Sequence, residues 1–592
     1  MTALIVLTAE GERTARRLAE KLPGSRVHGF APRCPDADVT FEAAGPHLRD
    51  LFARGEGIVG FCAAAVLIRC LAPLLTDKRS EPPVIAVGED GAHVVPLLGG
   101  HRGGNRLAAE IAELLQGRAA LTTAGDARFA VALDDPPPGW CLVDADRVKP
   151  LTAALLAGES VALEGEADWL ADAALPLDTS ADWRIVLGVE RGTDSPTRLR
   201  LAPRHLTVGV GCERDCPPSE LIALVRDCLA EADLLAEAVA CIASIDLKMD
   251  EPALAALAAE FEVPSRYFDA ARLERETPRL ATPSEVVFRE VGCHGVAEGA
   301  ALAAAGSDGR LRLAKRKSRR ATCAIAEAAE IVEPAAVGRA RGHLAVIGLG
   351  PGTPSMRIQA VSERLHDLED LVGYGLYLDQ IDDGGRAERH VFALGEEEKR
   401  VRHALELAAQ GRRVGLICSG DAGIYAMASL VYEALDGDED DLARRVAVEV
   451  LPGITAMQAA AARLGAPLGH DFCAISLSDL LTPWTAIERR LRAAAAGDFV
   501  TALYNPRSRG RPEHLATAFA LFAAERPPET PVAFARNLGR PGEAVTVCRL
   551  DEARPEQADM LTLVLIGAST TRQLRLDGRP AVYTPRGYRL SP

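Results

Sequence analysis

The sequence predicts a multidomain α/β protein, and three observations carry that expectation. At 592 residues the chain exceeds what one hydrophobic core serves, so three or four domains of ordinary size are expected. Apolar residues make up 48% and charged residues 25%, the balance of a soluble globular enzyme. Short apolar runs recur along the chain, many followed by a glycine-containing loop and then a stretch with helical spacing.

Taken in order, residues 4–7 read as a strand and residues 12–22 as an amphipathic helix, not as a secretory signal. Residues 58–61 and Val84–Val87 are further apolar runs, and Asp90-Gly91 before His93–Leu98 is a two-residue hairpin signal. The loop GGHRGGN precedes a helix with apolar positions Leu107, Ile111, Leu114 and Leu115. DDPPPGW, residues 134–140, ends a first domain expected over 1–135, because three successive prolines continue neither helix nor strand. Residues 136–205 show a weak pattern and read as a small connecting region. A further domain, 206–333, opens on the strand-like LTVGVGC and a Pro-Pro-Ser helix start at Pro217, Pro218 and Ser219. Helices are expected over 251–261 and Val296–Ala305, and EPAAVGRARG, residues 333–342, marks the next boundary.

From residue 343 onward, strand and glycine loop alternate. Residues 344–347 precede GLGPGTP, 414–418 precede SGDAG, 446–451 precede PGITA, 499–503 precede YNPRS, and 561–566 precede GAST. Open α/β sheets bind ligands at the carboxyl ends of their strands, which puts the expected site on these loops.

A formal net charge of −16 excludes the chain as a whole from the polyanion binders, so no nucleic-acid partner is expected. The one dense basic run, Lys315-Arg316-Lys317-Ser318-Arg319-Arg320, is either a local patch for an anionic substrate or a solvated linker or strand edge. Thirteen dispersed cysteines without a Cys-x-x-Cys pair fit a reducing cytoplasm. The apolar stretch 58–75 is interrupted by Arg69 and Pro73 and fails as a membrane span, so a cytoplasmic location is expected.

GLGPG first suggests a dinucleotide loop and an NAD-linked oxidoreductase. Thr353 stands where the third glycine of that fingerprint belongs, and Pro351 removes a backbone N–H that a pyrophosphate would use. No Gly-Lys pair occurs, which excludes a Walker A loop. SGDAGIYAM places Asp421 in a glycine turn, as a candidate for proton transfer or as a turn former. Small residues at three successive strand ends leave room for a flat ligand such as adenosine against the backbone.

The ordered motifs GLGPG, GYGLYLDQI, SGDAGIYAM, PGITAMQAAAARLGAPLGHDFCAISLSD, YNPRSRGRP, ARNLGRPGE and DMLTLVLIGAS resemble the tetrapyrrole methyltransferases over residues 344–587. Within them the resemblance is to the precorrin-3B C(17)-methyltransferases of cobalamin biosynthesis. It implies a two-lobed domain over 343–592, divided near residue 460, with S-adenosylmethionine in the cleft between lobes. It implies cofactor contacts at Gly350, Pro351 and Gly352, at Ser419, Gly420, Asp421, Ala422, Ile424 and Tyr425, at Thr455 and Ala456, and at Tyr504, Arg536 and Asn537. It also implies methylation at carbon 17 of precorrin-3B, or of cobalt-precorrin-3 in the anaerobic pathway, with contraction of the macrocycle, and a homodimer through this region. Two positions depart from the family's pattern: Thr353 replaces its aspartate after GPG, and Ala422 replaces the proline of its GDPG turn. The substrate carries many carboxylates, for which Arg507, Arg509 and Arg511 are candidate partners; the other reading is a solvated arginine loop.

In the first half, PLLGGHRGGNRLA resembles the amino-terminal region of the CbiG-type cobalamin proteins. His101 within it is a candidate general base or a structural histidine in a glycine turn. GVGCERDCPPSELIALV, ASIDLKMDEPALAALA and PSEVVFREVGCHGVAEGAALAAAG resemble their carboxy-terminal, CobE-like region. The resemblance implies either hydrolysis of the cobalt-precorrin-5A lactone of the anaerobic pathway or a module that only binds intermediates. Lys248, Glu298 and the run 315–320 are candidate carboxylate or lactone contacts. Cys212 with Cys216, and Cys293 beside His294, read as metal ligands or as ordinary buried thiols, and no metal is expected.

Overall fold

A computed structural model describes residues 2–76, 80–121, 128–129, 131–171, 173–381, 385–437, 442–508, 510–576 and 579–588, without the side chains of His101 and Arg579. The chain divides into two compact units, Met1–Ala340 and Arg341–Pro592. Both are mixed α/β. None of the described helices is long and apolar enough to cross a membrane.

In the first unit, the strand Thr2–Val6 is apolar from Ala3 onward, and those four residues are buried, as a central parallel strand requires. It lies within a seven-stranded sheet in the order Val39–Phe41, Ser25–Phe30, Thr2–Val6, Gly57–Phe61, Val84–Val87, His93–Leu98 and Arg118–Ala119. Val84–Val87 and His93–Leu98 run antiparallel. The turn between them is longer than Asp90-Gly91 alone suggests, because Gly88 N–H donates to His93 O at 2.9 Å and closes a wider loop. The helix Gly104–Leu115 buries Ala108 and Ile111. His101 falls on a short turn, Gly100–Arg102, but its side chain lies outside the described residues.

Residues 136–205, a weak connector by sequence, form a layer of their own. Trp140–Leu142, Arg198–Pro203, Trp183–Leu187 and Val161–Glu164 make a four-stranded sheet. Its core holds Leu151, Leu155, Ile185, Leu199 and Leu201. The alternation Arg198-Leu199-Arg200-Leu201 is the period of a half-buried strand, and Arg200 turns outward to hold Asp144 at 2.7 and 2.9 Å.

The third sheet runs Ser265–Phe268, Val239–Ile245, Leu206–Cys212, Ala321–Glu327 and Arg310–Lys317. Its first three strands are parallel and its last two antiparallel. Val208 and Val210 face the helices Pro218–Glu231 and Pro252–Glu260. Cys241, Ala243 and Ile245 face the opposite side, against the helix Val296–Ala305. The basic run sits on the edge strand and the turn beyond it. Arg316 holds Glu231 and Arg320 holds Glu213, so the run is largely a neutralised sheet edge.

Glu298 belongs to this packing and not to a substrate pocket. Only 1% exposed, it accepts from Thr282 N–H at 3.0 Å, from the Thr282 hydroxyl at 3.0 Å and from Lys315 N–H at 2.9 Å. Burial pushes its carboxyl up, but those donors and the Lys315 charge outweigh it and hold the group below the ordinary glutamate value. A depressed carboxyl contributes stability at neutral pH that is lost as pH falls through its folded value, below 4.5. Glu298→Gln is expected to lower stability at neutral pH by about 1–3 kcal/mol and to flatten that acid limb, as read by urea unfolding across pH.

The second unit holds two larger sheets. In the first, Glu388–Phe392, Asp370–Tyr374, Arg413–Cys418, His343–Gly348 and Ala447–Leu451 lie side by side, all parallel. The second is mixed, in the order Phe472–Ser476, Val500–Tyr504, Thr562–Ile566, Pro531–Arg536 and Ala544–Arg549. The helix Ala456–Leu464 connects them, its start fixed by a capping box between Thr455 and Gln458.

Candidate active site

The parallel sheet directs the carboxyl ends of its strands at one open cleft of about 240 Å³. Pro351 reaches it from the loop after His343–Gly348. Ser419, Gly420, Asp421, Ile424 and Tyr425 come from the loop after Arg413–Cys418, and Thr455 and Ala456 from the loop after Ala447–Leu451. The mixed sheet supplies Tyr504, Asn505, Ala535 and Asn537. The structure thus brings together ten of the fourteen residues expected around the cofactor.

The other four stand behind or beside the wall. Gly350 and Gly420 exchange two backbone hydrogen bonds, of 3.0 and 2.8 Å, which lock the first two loops together. A Cβ on Gly352 would fall 2.5 Å from Arg540 Cγ, so this glycine makes room for that side chain. Ala422 is fully buried. Arg536 is a correction: Ala535 lines the cleft, so strand alternation turns Arg536 outward, where its Nε holds Asp559 at 2.7 Å.

Asp421 holds the loops in place. Its Oδ1 accepts from Gly423 N–H at 2.8 Å and its Oδ2 from Gly453 N–H at 3.1 Å, joining the second loop to the third. Tyr504 braces the third loop: its hydroxyl lies 2.5 Å from Thr455 Oγ1 and accepts from Met457 N–H at 3.2 Å. Burial pushes the phenols of Tyr377, Tyr425 and Tyr504 up, so all three stay neutral at physiological pH. Tyr425, Asn505 and Asn537 all line the cleft with left-handed backbone, at φ +52°, +50° and +49°. Such strain gathers at functional sites, and for tyrosine it is unusual.

Several lining residues escape sequence reasoning. Arg540 is the one cation among the lining residues. Its Nε donates to Pro351 O at 3.0 Å, its Nη2 donates to Ser419 Oγ at 2.6 Å, and its guanidinium lies 5.7 Å from the Tyr377 ring centre. These bonds use two of the five guanidinium N–H groups. Met560, Leu561, Thr562 and Leu563 also line the cleft. They do so because Thr562–Ile566 runs antiparallel to Val500–Tyr504. The start of that strand reaches the cleft, not the GAST loop at its end.

The arginines after Tyr504 do not act as a group. Arg511 is turned inward, donating to Leu477 O at 2.8 Å and Asn505 O at 3.3 Å, and so fastens the loop instead of facing a substrate. Arg507 lies 4.0 Å from Glu556. Arg509 is outside the described residues.

Among the described residues, the one grouping with metal-ligand spacing is Asp370, Glu388 and His390, and Arg412 already holds Asp370 through two N–H groups, at 2.5 and 2.7 Å. The cysteine pairings fall outside it. Cys293 is buried, and His294 is bound to Glu274 at 2.9 Å.

Residues 343–554 match the family model for Tetrapyrrole (Corrin/Porphyrin) Methylases. Residues 46–126 match Cobalamin synthesis G N-terminal, and residues 206–326 match Cobalamin synthesis G C-terminus. The chain is 46% identical over 248 residues to a precorrin-3B C(17)-methyltransferase of Sinorhizobium sp, covering 42% of this chain and 97% of the relative. It is also 46% identical over 249 residues to a "Probable cobalt-factor III C(17)-methyltransferase" of Salmonella typhimurium, covering 42% of this chain and 100% of that protein. A crystal structure of the methyltransferase CobJ aligns at 45% identity with a TM-score of 0.39, covering 41% of this chain and 100% of that one.

Proposed function

The chain belongs to the tetrapyrrole (corrin/porphyrin) methylases, and on that premise we propose that residues 343–592 methylate carbon 17 of precorrin-3B with ring contraction to precorrin-4. The observation that carries the reading is the cleft itself, in which one cation, three tyrosines and small strand-end residues meet.

These residues fit S-adenosylmethionine. Arg540 offers N–H groups to a carboxylate, Tyr425 and Tyr504 offer aromatic faces to a purine, and Leu561 and Leu563 offer apolar surface. When bound, that cofactor supplies an electrophilic sulfonium methyl group. The chain's part is to orient and to exclude water: Asp421 and Tyr504 fix the loops, and neutral phenols place no competing charge in the cleft. Asp421 is read as a positioning residue, because both its oxygens are occupied by backbone donors. Asp421→Asn keeps one acceptor and turns an N–H toward the other donor. S-adenosylhomocysteine is then expected to bind about tenfold more weakly, for a cost of about 1–3 kcal/mol. A shifted pH profile with unchanged binding would instead make Asp421 a proton-transfer group.

The first unit, with domains at 1–135, 136–205 and 206–333, is read as a module that hydrolyses or holds a precorrin lactone. A homodimer through the methylase region and a cytoplasmic location belong to the same proposal. A second reading, a cobalt-containing substrate, is favoured by the equal 46% identity to the cobalt-factor III relative. The test incubates the purified full chain with S-adenosylmethionine and either metal-free precorrin-3B or its cobalt-containing counterpart. Mass spectrometry is expected to show one added methyl on the metal-free substrate. Gain on the cobalt form alone selects the second reading, and no gain on either sinks both.

A further inference from the structure

The carboxyl ends of Leu206–Cys212 and Val239–Ile245 carry a cluster that methyl transfer does not use. Three loops are tied together around it by satisfied bonds. Arg214 donates to Asp250 Oδ1 at 2.6 Å and to Leu247 O at 2.7 Å. Arg320 donates to Glu213 Oε2 at 3.1 Å and to the carbonyls of Arg214 and Asp215 at 2.5 and 2.8 Å. The Ser318 hydroxyl and the Arg320 N–H both close on Glu220 Oε1, at 2.5 and 2.7 Å.

Within that frame, Lys248, Cys212 and one oxygen of Glu251 are left over. Among the described residues the half-buried Lys248 ammonium has no hydrogen bond or ion pair, and the Cys212 thiol has no hydrogen bond. Glu251 is 2% exposed, and its buried Oε1 has no donor. Its other oxygen stands 3.8 Å from Arg214 Nη1. The residue occupies the N-cap position of the helix Pro252–Glu260, yet its side chain does not cap. A buried carboxylate oxygen without a donor is costly, and native structures rarely keep one without a use. Burial and Glu251 push the Cys212 thiol up to about 12, against the pull of Lys248, so the sulfur is a neutral thiol at physiological pH. The position suits a small molecule as well: helices cover both faces of this sheet, and such sheets take ligands at the carboxyl ends of their strands.

We propose that the carboxyl end of these two strands is a second ligand site, for an organic carboxylate that also carries an N–H or O–H donor. The Lys248 ammonium pairs with the carboxylate, and Glu251 Oε1 accepts from the donor. The cluster stands on its own geometry, while the choice of ligand class rests on the corrin-pathway reading: tetrapyrroles with acid side arms and pyrrole N–H groups offer both features.

The test uses the full-length chain and uroporphyrin III, an octacarboxylate tetrapyrrole, titrated by fluorescence quenching. Lys248→Ala and Glu251→Gln are each expected to weaken one binding component at least tenfold, with thermal unfolding, S-adenosylhomocysteine binding and methyl transfer unchanged. Glu251→Gln keeps the side chain's shape, so it reports binding even where the lysine variant is less stable. Titrations identical to wild type in both variants overturn the proposal, as does a single component lost only on substitution in the methylase cleft. Failure of the methylase reading shows separately, as absent S-adenosylhomocysteine binding in the unaltered chain, and a Lys248-dependent component that persists there still supports the second site.

Discussion

Gly453→Ala is expected to abolish measurable S-adenosylhomocysteine binding and to lower the melting temperature of the second unit. Three strand-end loops meet there backbone to backbone. A Cβ on Gly453 would fall 2.1 Å from Gly420 O and 2.5 Å from Gly348 O, closer than any real contact. Neither neighbour is the flexible end of a side chain, so relief requires the loops themselves to separate. Separation would break the Gly453 N–H bond to Asp421 and the paired bonds between Gly350 and Gly420. Overpacking of this kind costs roughly 1–3 kcal/mol or more, or about 2–4 °C per kcal/mol for a unit of this size. Gly437→Ala is the control: nothing lies within 4 Å of its added Cβ, and a change within about 1 kcal/mol is expected. Isothermal titration with S-adenosylhomocysteine and thermal unfolding decide the matter. Wild-type affinity in Gly453→Ala would mean that the loops are not held by this contact.

What the sequence could reveal follows from the range over which each feature is encoded. Every strand read before a glycine loop in the second half is a strand, because an apolar run and its turn residue lie within a few positions of each other. The direction of a strand is not local. LTLVLI reads the same whether it runs parallel or antiparallel, so its sequence points to the GAST loop at its end, whereas residues 560–563 at its start line the cleft. The sheet at 140–203 is hard to read for a different reason: its strands are short, and in Arg198–Pro203 arginines and leucines alternate, which dilutes any count of apolar residues. Around the cleft, glycine and small residues advertised the loops, but side-chain direction stayed out of reach. Arg536 and Arg511 are conspicuous in sequence and turn away from the cleft. Arg540, in the same ARNLGRPGE motif, turns into it. Its partner Pro351 lies 189 positions earlier, a distance over which no spacing rule operates.

Arg540→Gln is expected to weaken S-adenosylhomocysteine binding about tenfold to a hundredfold, the effect of losing a charged hydrogen bond of about 1.5–3 kcal/mol. The guanidinium is held from behind by Pro351 O and Ser419 Oγ and lies beside the Tyr377 ring, with N–H groups left over on a wall that carries no other cation. Glutamine reaches neither as far nor with charge. Lysine restores charge without the planar fork, so Arg540→Lys is expected to recover only part of the loss. Binding of 5′-methylthioadenosine, which lacks the carboxylate, separates anchoring from scaffolding. Unchanged affinity for it in Arg540→Gln assigns the guanidinium to the cofactor's carboxylate. Equal weakening of both ligands would mean that Arg540 only holds the Pro351 loop in place. Normal cofactor binding with a raised KM for the tetrapyrrole would move the contact to a carboxylate arm of the substrate. Wild-type behaviour on all three measurements would remove Arg540 from the site.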